Sequence, residues 1–382
     1  MTRATAVAHG SAIDDTIGQP GMAPRTLLLT LALGFAQDGL YGLFFLSYMN
    51  HYLLDVLKAS AGTPGYTLAI FGAAKLIITP ASGRLLDRTS PRAVLWASAS
   101  LQVTALGLLL FHTLAGFLCA AVLLAAGNAA IWPLIYDVVA RAQAQSGHSR
   151  TTGLLALVGF AAVGGGLLGG LLLGHYAPPR LFIVLALVLV LSPLALQNSP
   201  ALDSRNKVNV PTRRSGQLRR SLALAAFFAV ILFIDYAAVT SLAGLYGPYA
   251  RRTLHISLLR TALLLMPAAV AAFAALWLAS KGSKPGRRLR EMALLYVLSA
   301  VGAFGLAIAP TPLVAALAAI PLAVGVGAVT PIIAASLIGQ ATAAERGLVF
   351  GVLMSVEGLG AVIGPAATAF ASELVSPRMG LV

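Results

Sequence analysis

Charged residues are scarce in this sequence. Only 10% of its 382 residues are Asp, Glu, Lys or Arg, whereas 58% are hydrophobic. A water-soluble protein needs more charged surface than this, because exposed apolar area drives association. The hydrophobic residues also form runs of about 18 or more, the length that spans the hydrocarbon core of a bilayer. These features exclude an ordinary soluble fold and indicate an all-α polytopic membrane protein.

Cysteine is almost absent, since Cys119 is the only one. This count excludes disulfide frameworks, zinc sites and redox pairs. The six histidines show no ligand spacing, and the sequence has neither a phosphate-binding loop nor a Ser/His/Asp or paired-carboxylate arrangement. We therefore expect no metal, no cofactor and no enzymatic activity.

The basic start and short apolar core of a signal peptide are missing from the first 25 residues, which we interpret as a cytoplasmic tail (1–25). Behind it the sequence predicts an N-terminal six-helix bundle (26–197), a polar, basic linker (198–220) and a C-terminal bundle (221–382). The predicted spans number eleven: 26–49, 64–84, 93–112, 115–140, 151–174, 181–197, 221–246, 257–279, 291–309, 313–338 and 347–371.

The orientation follows from the basic residues. The net charge is +14, but its lysines and arginines lie in short tracts between the apolar runs, which indicates membrane topology rather than nucleic-acid binding. Nineteen of the 26 lie in segments on the side of the N-terminus, and five lie on the opposite side. This asymmetry predicts a multi-pass protein of the cell inner (plasma) membrane, with its N-terminus and central linker in the cytoplasm.

The two halves repeat each other with an offset of about 197 residues. Asp38, midway along span 1, corresponds to Asp235, midway along span 7. The basic loop 83–92 corresponds to 280–290, and the glycine run 164–170 corresponds to 360–367. Two parallel repeats with a substrate site between them are a known transporter design.

The repeat also bears on the end of the chain. The counterpart of span 6 begins at Pro377-Arg378 and stops at Val382, so a twelfth span is missing. We expect a truncated or frameshifted form of a twelve-span protein; the alternative is a genuine eleven-span protein.

The loop after span 2 carries a family motif. Gly83, Arg84, Asp87, Arg88 and Arg92 resemble the signature G-x-L-x-D-R-x-G-R-[KR] of the major facilitator superfamily, with Ser90-Pro91 in place of its glycine. The resemblance implies the fold of that family and a cytoplasmic gate in which Asp87 faces the start of span 11. The alternative is that these arginines only enforce topology.

A second motif is glycine-rich. Gly165, Gly166, Gly169 and Gly170 resemble the antiporter signature G-P-x-x-G-G of the same family, with Gly166 in place of proline, and Gly364-Pro365 of span 11 resembles its first two residues. Small residues allow helices to approach closely. The resemblance favours export by antiport over uptake.

Four ionisable residues lie within spans, where such residues are costly and usually functional. They are Asp38, Lys75, Asp235 and Glu357. The family resemblance places spans 1 and 7 around the central cavity, so Asp38 and Asp235 would face each other and carry protons as access alternates. Spans 2 and 11 would be neighbours, which leaves two roles for Glu357: a structural ion pair with Lys75, or proton coupling.

Aromatic residues accompany Asp38. In an α-helix Asp38, Tyr41, Phe45 and Tyr48 share one face, and an acid beside aromatic rings suits a lipophilic cation; an interfacial aromatic belt is the alternative. Asn128 and Trp132 of span 4 are further candidates for the cavity wall.

Three functions remain open at this point. The leading one is a secondary transporter that exports drug-like or metabolite compounds against protons by alternating access. The second is proton-coupled uptake of a sugar or organic acid, and the third is a non-transporting sensor or assembly factor with the same fold. The expected partners are a small-molecule substrate, protons and the lipid bilayer, with no nucleic acid, and we expect a monomer.

Overall fold

The structure is a computed structural model that describes residues 24–146, 154, 157–159, 161–166, 178–197, 215–280, 288–338 and 346–374. Every regular element within these residues is a helix, which confirms the predicted fold class. Helices are expected here because the backbone N–H and C=O groups find no water in a bilayer and must pair within the segment.

The first half begins with α1, which runs from Pro24–Tyr41 through π-helical Gly42–Tyr48, Met49–His51 and π-helical Tyr52–Val56 without a break. The helices that follow are α2 (Thr63–Arg88), α3 (Pro91–Leu108, extended by a 3₁₀ turn over Leu109–Phe111), α4 (Leu114–Ser146), the described part of α5 (Leu157–Gly166) and α6 (Pro178–Leu196).

The second half contains α7 (Ser215–Arg252), α8 (Leu258–Ser280), α9 (Arg288–Ile308), α10 (Pro312–Ile338) and α11 (Arg346–Leu374). Each predicted span thus falls on one helix, although most of span 151–174 beyond 157–166 is outside the described residues. The predicted linker (198–220) becomes helical at Ser215. The tail before Pro24 and the chain end that carries the question of a twelfth span (375–382) also lie outside the described residues.

Seven helices are long and apolar enough to cross a membrane: α1, α3, α4, α7, α9, α10 and α11. Large hydrophobic side chains are exposed along α8, α9 and α10, for example Val270, Val297 and Leu317. Such a surface is stable in lipid, where apolar side chains replace the charged exterior of a soluble protein.

The packing repeats between the halves. In the first half α4 packs against α2 and α3, and in the second half α10 packs against α8 and α9. The closest approaches repeat as well: a methyl group on Gly166 of α5 would collide with the Gly39 carbonyl oxygen of α1, and one on Gly364 of α11 with the Ala237 carbonyl oxygen of α7. Both members of these two contacts are 198 residues apart. Between the halves, α11 packs along α2.

Candidate functional site

A buried ion pair joins the two halves. Lys75 Nζ of α2 donates a hydrogen bond of 3.1 Å to Glu357 Oε2 of α11. Lys75 is 6% exposed and Glu357 is 2% exposed, so each charge depends on the other for stabilisation. The structure therefore contains the ion pair that the sequence left open as one of two roles for Glu357.

Glycines bring the backbones of α2 and α11 together at the level of this pair. A methyl group on Gly72 would lie 2.6 Å from the carbonyl carbon of Ala361, and one on Gly358 would lie 2.8 Å from the backbone nitrogen of Leu76. Any larger residue at these two positions would separate the helices. Glycine is thus the residue that allows the Lys75 ammonium group to reach the carboxylate on the facing helix.

Asp38 of α1 adds a second carboxyl group to the ion pair. Its charge interacts with those of Lys75 and Glu357. The Tyr236 hydroxyl of α7 donates a hydrogen bond to Glu357, and Lys75 Nζ lies 5.2 Å from the centroid of the Tyr236 ring. Tyr136 of α4 lies within electrostatic range of both carboxyl groups. We name Asp38, Lys75 and Glu357 the charge cluster.

The charge count of this cluster determines what it can do chemically. Two carboxylates and one ammonium group carry a net charge of −1, and Tyr236 and Tyr136 contribute hydroxyl groups rather than further charge. A single proton, or a single monovalent cation, makes the cluster neutral. Since an uncompensated charge is costly inside a membrane, the cluster is suited to hold either one of them.

Asp235 lies in a different environment. It is 2% exposed, and its charge acts on Tyr296 of α9. The offset of 198 residues in the glycine contacts aligns Asp235 with Gln37 and Asp38 with Tyr236, one residue away from the pairing predicted with an offset of 197. One residue turns a helical position by about 100°, so Asp38 and Asp235 meet different neighbours.

A small pocket in the first half lies beside Asp38. Its wall contains three of the predicted cavity residues, Tyr41, Phe45 and Asn128. It also contains Gln37 and Gln102, whose side-chain amides exchange two hydrogen bonds of 3.1 and 2.6 Å. The sequence analysis did not select these two glutamines, although the polar pair Gln37-Asp38 inside an apolar run was a usable signal. The remaining wall residues are Leu40, Phe71 and Leu124.

The aromatic residues of α1 divide into two groups. Tyr41 and Phe45 pack together with ring centroids 5.2 Å apart and contact Phe71. Tyr48 instead stacks on Tyr52 at 5.2 Å. The reason is that α1 becomes π-helical at Gly42, so the α-helical spacing that placed Tyr48 on the face of Asp38 no longer applies. Trp132 packs on Tyr136 at 5.4 Å and is not in the pocket wall.

The two family motifs are described in part. The side chains of 83–88, and with them Gly83, Arg84, Asp87 and Arg88, lie outside the described residues, as do Gly169 and Gly170. The departure at Ser90-Pro91 has a structural reason: the Ser90 hydroxyl accepts a hydrogen bond from the Ala93 backbone and Pro91 occupies the first turn, so the two residues start α3. Arg92 follows in that turn and is half-buried.

Comparison with known proteins gives one family and several similar folds. The family model of the Major Facilitator Superfamily matches residues 27–379. No curated protein sequence matches the chain. Among solved structures, that of the human organic anion transporter MFSD10 superposes with a TM-score of 0.71 at 14% identity, covering 95% of this chain and 96% of that one.

Two further transporters have similar folds. A mutant of the nucleoside transporter NupG superposes with a TM-score of 0.67 at 13% identity and covers 93% of this chain and 95% of that chain. A variant of the E. coli fucose:proton symporter FucP gives a TM-score of 0.65 at 15% identity and covers 93% and 94%. At these identities the likeness concerns the fold.

Proposed function

The chain belongs to the major facilitator superfamily, as its loop motif predicted, and from this premise we propose that it exports lipophilic cations or similar drug-like metabolites in exchange for protons. It is a membrane-embedded secondary transporter and not an enzyme, as its family and the transporters of similar fold indicate. The charge cluster is the observation that carries the proposal of proton coupling.

The cluster supplies a physical reason for exchange. Asp38, Lys75 and Glu357 come from three helices of both halves, so a change in the arrangement of the halves changes their mutual distances. Because one positive charge neutralises the cluster, a proton and a cationic solute compete for it. Mutual exclusion of two ligands at one site that faces each side in turn produces antiport. Tyr41 and Phe45 add the aromatic faces that a lipophilic cation prefers.

The glycine-rich contacts support a moving first helix. Gly166 contacts α1 next to Asp38, and Gly42 of α1 lies against the Val163 backbone of α5. Helices that meet through backbone atoms can slide without a clash of side chains. These contacts fit the antiport motif that the sequence suggested around Gly165 and Gly166.

Symport with a neutral solute is the second candidate, and the amides favour it. Gln37, Gln102 and Asn128 in the pocket wall present hydrogen-bond donors and acceptors without charge, which suits a hydroxylated solute. A solute of this kind would leave the carboxyl groups to the proton, and both would then move in the same direction.

One experiment separates the candidates. Purified protein in liposomes is tested with four solutes: ethidium, an organic anion, a nucleoside and fucose. A pH gradient is imposed in both senses. Antiport accumulates the solute in acid-loaded vesicles and symport accumulates it in alkaline-loaded vesicles, whichever way the protein is inserted. We expect ethidium to accumulate in acid-loaded vesicles. Accumulation in alkaline-loaded vesicles would favour symport, and flux unaffected by either gradient would contradict proton coupling.

A glycine beside Asp38 provides a further prediction. A methyl group on Gly159 of α5 would collide with Asp38 Oδ2, whereas one on Gly164 of the same helix would have no atom within 4 Å. The displaced atom is the end of a flexible side chain, so the fold survives while the carboxyl group moves. We expect Gly159→Ala to lower gradient-driven transport by about tenfold or more, since a shift of about 1 Å in a functional group costs about that much or more.

The matched control is Gly164→Ala, the same change on the same helix, which should transport at the wild-type rate. Both variants are compared at equal amounts of folded protein, measured by size-exclusion chromatography. Equal transport by the two variants would remove Asp38 from the mechanism or show that its position has no influence.

A further inference from the structure

A second group of charged residues lies at the end of the molecule where α1 and α7 end, which the distribution of basic residues assigns to the outer side; we call it the outer end. Arg251 of α7 donates two hydrogen bonds to Asp55 of α1, from Nη1 to Oδ1 and from Nη2 to Oδ2 at 2.5 Å. His51 Nδ1, one turn earlier on α1, lies 2.6 Å from the same Asp55 Oδ2. We name His51, Asp55 and Arg251 the outer latch.

The outer latch joins the two halves at equivalent places. Asp55 and Arg251 are 196 residues apart, close to the repeat offset, and each lies in the last turns of the helix that opens its half. The bidentate geometry gives the pair direction as well as charge attraction. The Arg251 side chain is 26% exposed and that of Asp55 36% exposed, so the pair is partly shielded from water and still open to protons.

Other contacts at the outer end hold the same surfaces together. Glu373 of α11 accepts hydrogen bonds from the Ser60 hydroxyl at 2.6 Å and from the Tyr66 hydroxyl at 3.1 Å. A methyl group on Gly244 of α7 would lie 3.1 Å from Gly65 Cα of α2. The outer latch therefore acts on an interface that is closed in this structure.

We propose that the outer latch is a proton-binding site that controls the opening of the outer end, in addition to the charge cluster. At neutral pH Asp55 is ionised and Arg251 holds the halves together through it. When His51 gains a proton, its charge competes with Arg251 for the shared Oδ2 and places two cations beside one carboxylate. The attraction between the halves weakens, so a lower external pH favours the open form.

The groups that titrate in this region are few. Burial lowers the pKa of Arg251 from its ordinary value, yet an arginine remains charged at physiological pH, which leaves His51 and Asp55 as the titrating members. The other charged or titratable residues of the described outer end are Lys58, His112, Arg252, His255 and Glu373. His112 contacts the Tyr52 hydroxyl at 3.5 Å, and the contacts of Glu373 go to Ser60 and Tyr66.

The test measures a distance rather than transport. In a Cys119→Ser background, Leu110→Cys at the end of α3 and Leu313→Cys at the start of α10 carry spin labels; both leucines are exposed and lie at the outer end of different halves. Pulsed electron resonance records the label distances in lipid nanodiscs at about pH 8 and about pH 5, on either side of the ordinary pKa of histidine. We expect the ratio of long to short distances to rise about threefold or more at the lower pH, the size of effect typical of a partly exposed ion pair.

Variants separate the parts of the outer latch. Arg251→Gln should raise the long-distance fraction at both pH values, whereas its exposed neighbour Arg252→Gln should behave as wild type. His51→Gln, which gains no charge, should keep the pH 8 distances at pH 5. The double exchange D55R with R251D should restore the short distance and abolish the pH response.

Identical distances in Arg251→Gln and Arg252→Gln would overturn the latch, and an undiminished pH response in His51→Gln would overturn its control by protons. The inference requires alternating access but not the proposed exchange of a cation for a proton. Because its readout is the distance between the labels, it can fail while proton-driven flux stands, and the flux can be absent while the distances respond.

Discussion

Asp38→Asn is expected to abolish the accumulation of solute that a pH gradient drives. If one proton is exchanged for each solute, a gradient of about two pH units supports a roughly hundredfold accumulation, because each unit corresponds to about 1.36 kcal/mol. An asparagine amide neither binds nor releases a proton in this range, and with Asp38 removed the cluster is already neutral. The accumulation ratio should therefore fall from about a hundred to about one, because the exchange has lost its driving proton.

Two measurements make this result specific to coupling. Solute exchange at equal pH on both sides, with labelled solute outside and unlabelled solute inside, reports whether the cavity still binds and reorients. Asp38→Glu, which keeps the titrating group, should recover part of the gradient-driven accumulation. Full accumulation by Asp38→Asn would contradict the proposed role of the cluster. Loss of both exchange and accumulation in Asp38→Asn and in Asp38→Glu alike would indicate a structural role instead.

The second large effect concerns stability. Lys75→Met leaves the Glu357 carboxylate buried, with Asp38 as a like charge in its neighbourhood. Removal of one partner of a buried ion pair costs about 3–5 kcal/mol, whereas replacement of both partners by uncharged residues is close to neutral. We therefore expect Lys75→Met to lower the free energy of unfolding by several kcal/mol, and the double variant Lys75→Met with Glu357→Gln to recover most of the loss.

Unfolding by SDS in mixed micelles, followed by circular dichroism, measures this cycle. Arg290→Met, at an exposed position near the start of α9, is the control for loss of a positive charge and should leave the unfolding curve unchanged. A double variant as unstable as Lys75→Met would show that the two residues do not stabilise each other. A stable double variant without gradient-driven accumulation would separate the fold, which needs only charge balance, from transport, which needs groups that titrate.

The family and the helices were predictable because a bilayer restricts the sequence strongly. Backbone groups must pair within each segment and charges are excluded from the hydrocarbon, so the spans appear as apolar runs with basic residues between them. The motif from Gly83 to Arg92 then identified the family. The same exclusion reduced the search for functional residues to four, and three of these, Asp38, Lys75 and Glu357, form the charge cluster.

The rotation of the helices was not predictable to the same degree. The sequence offset of 197 matched Asp38 to Asp235, whereas the glycine contacts repeat at 198 and place Asp235 beside Tyr296. Abundant glycine and alanine make a shift of one residue hard to detect in the sequence, yet in a helix it turns a side chain to another neighbour. The π-helical part of α1 caused the similar error at Tyr48, because nothing in the local sequence announces a change of helical period.

Two sets of contacts depend on tertiary structure altogether. Gln37 and Gln102 are 65 residues apart, and Asp55 and Arg251 are 196 residues apart; each pair meets only after several helices have packed. The sequence by itself thus determined the membrane class, the family, the spans and the short inventory of buried charges, since these follow from the cost of polar groups in lipid. Which charges meet, on which side and through which oxygen was decided by tertiary structure, since backbone contacts at Gly72, Gly166 and Gly358 set the distance and rotation of the helices that carry them.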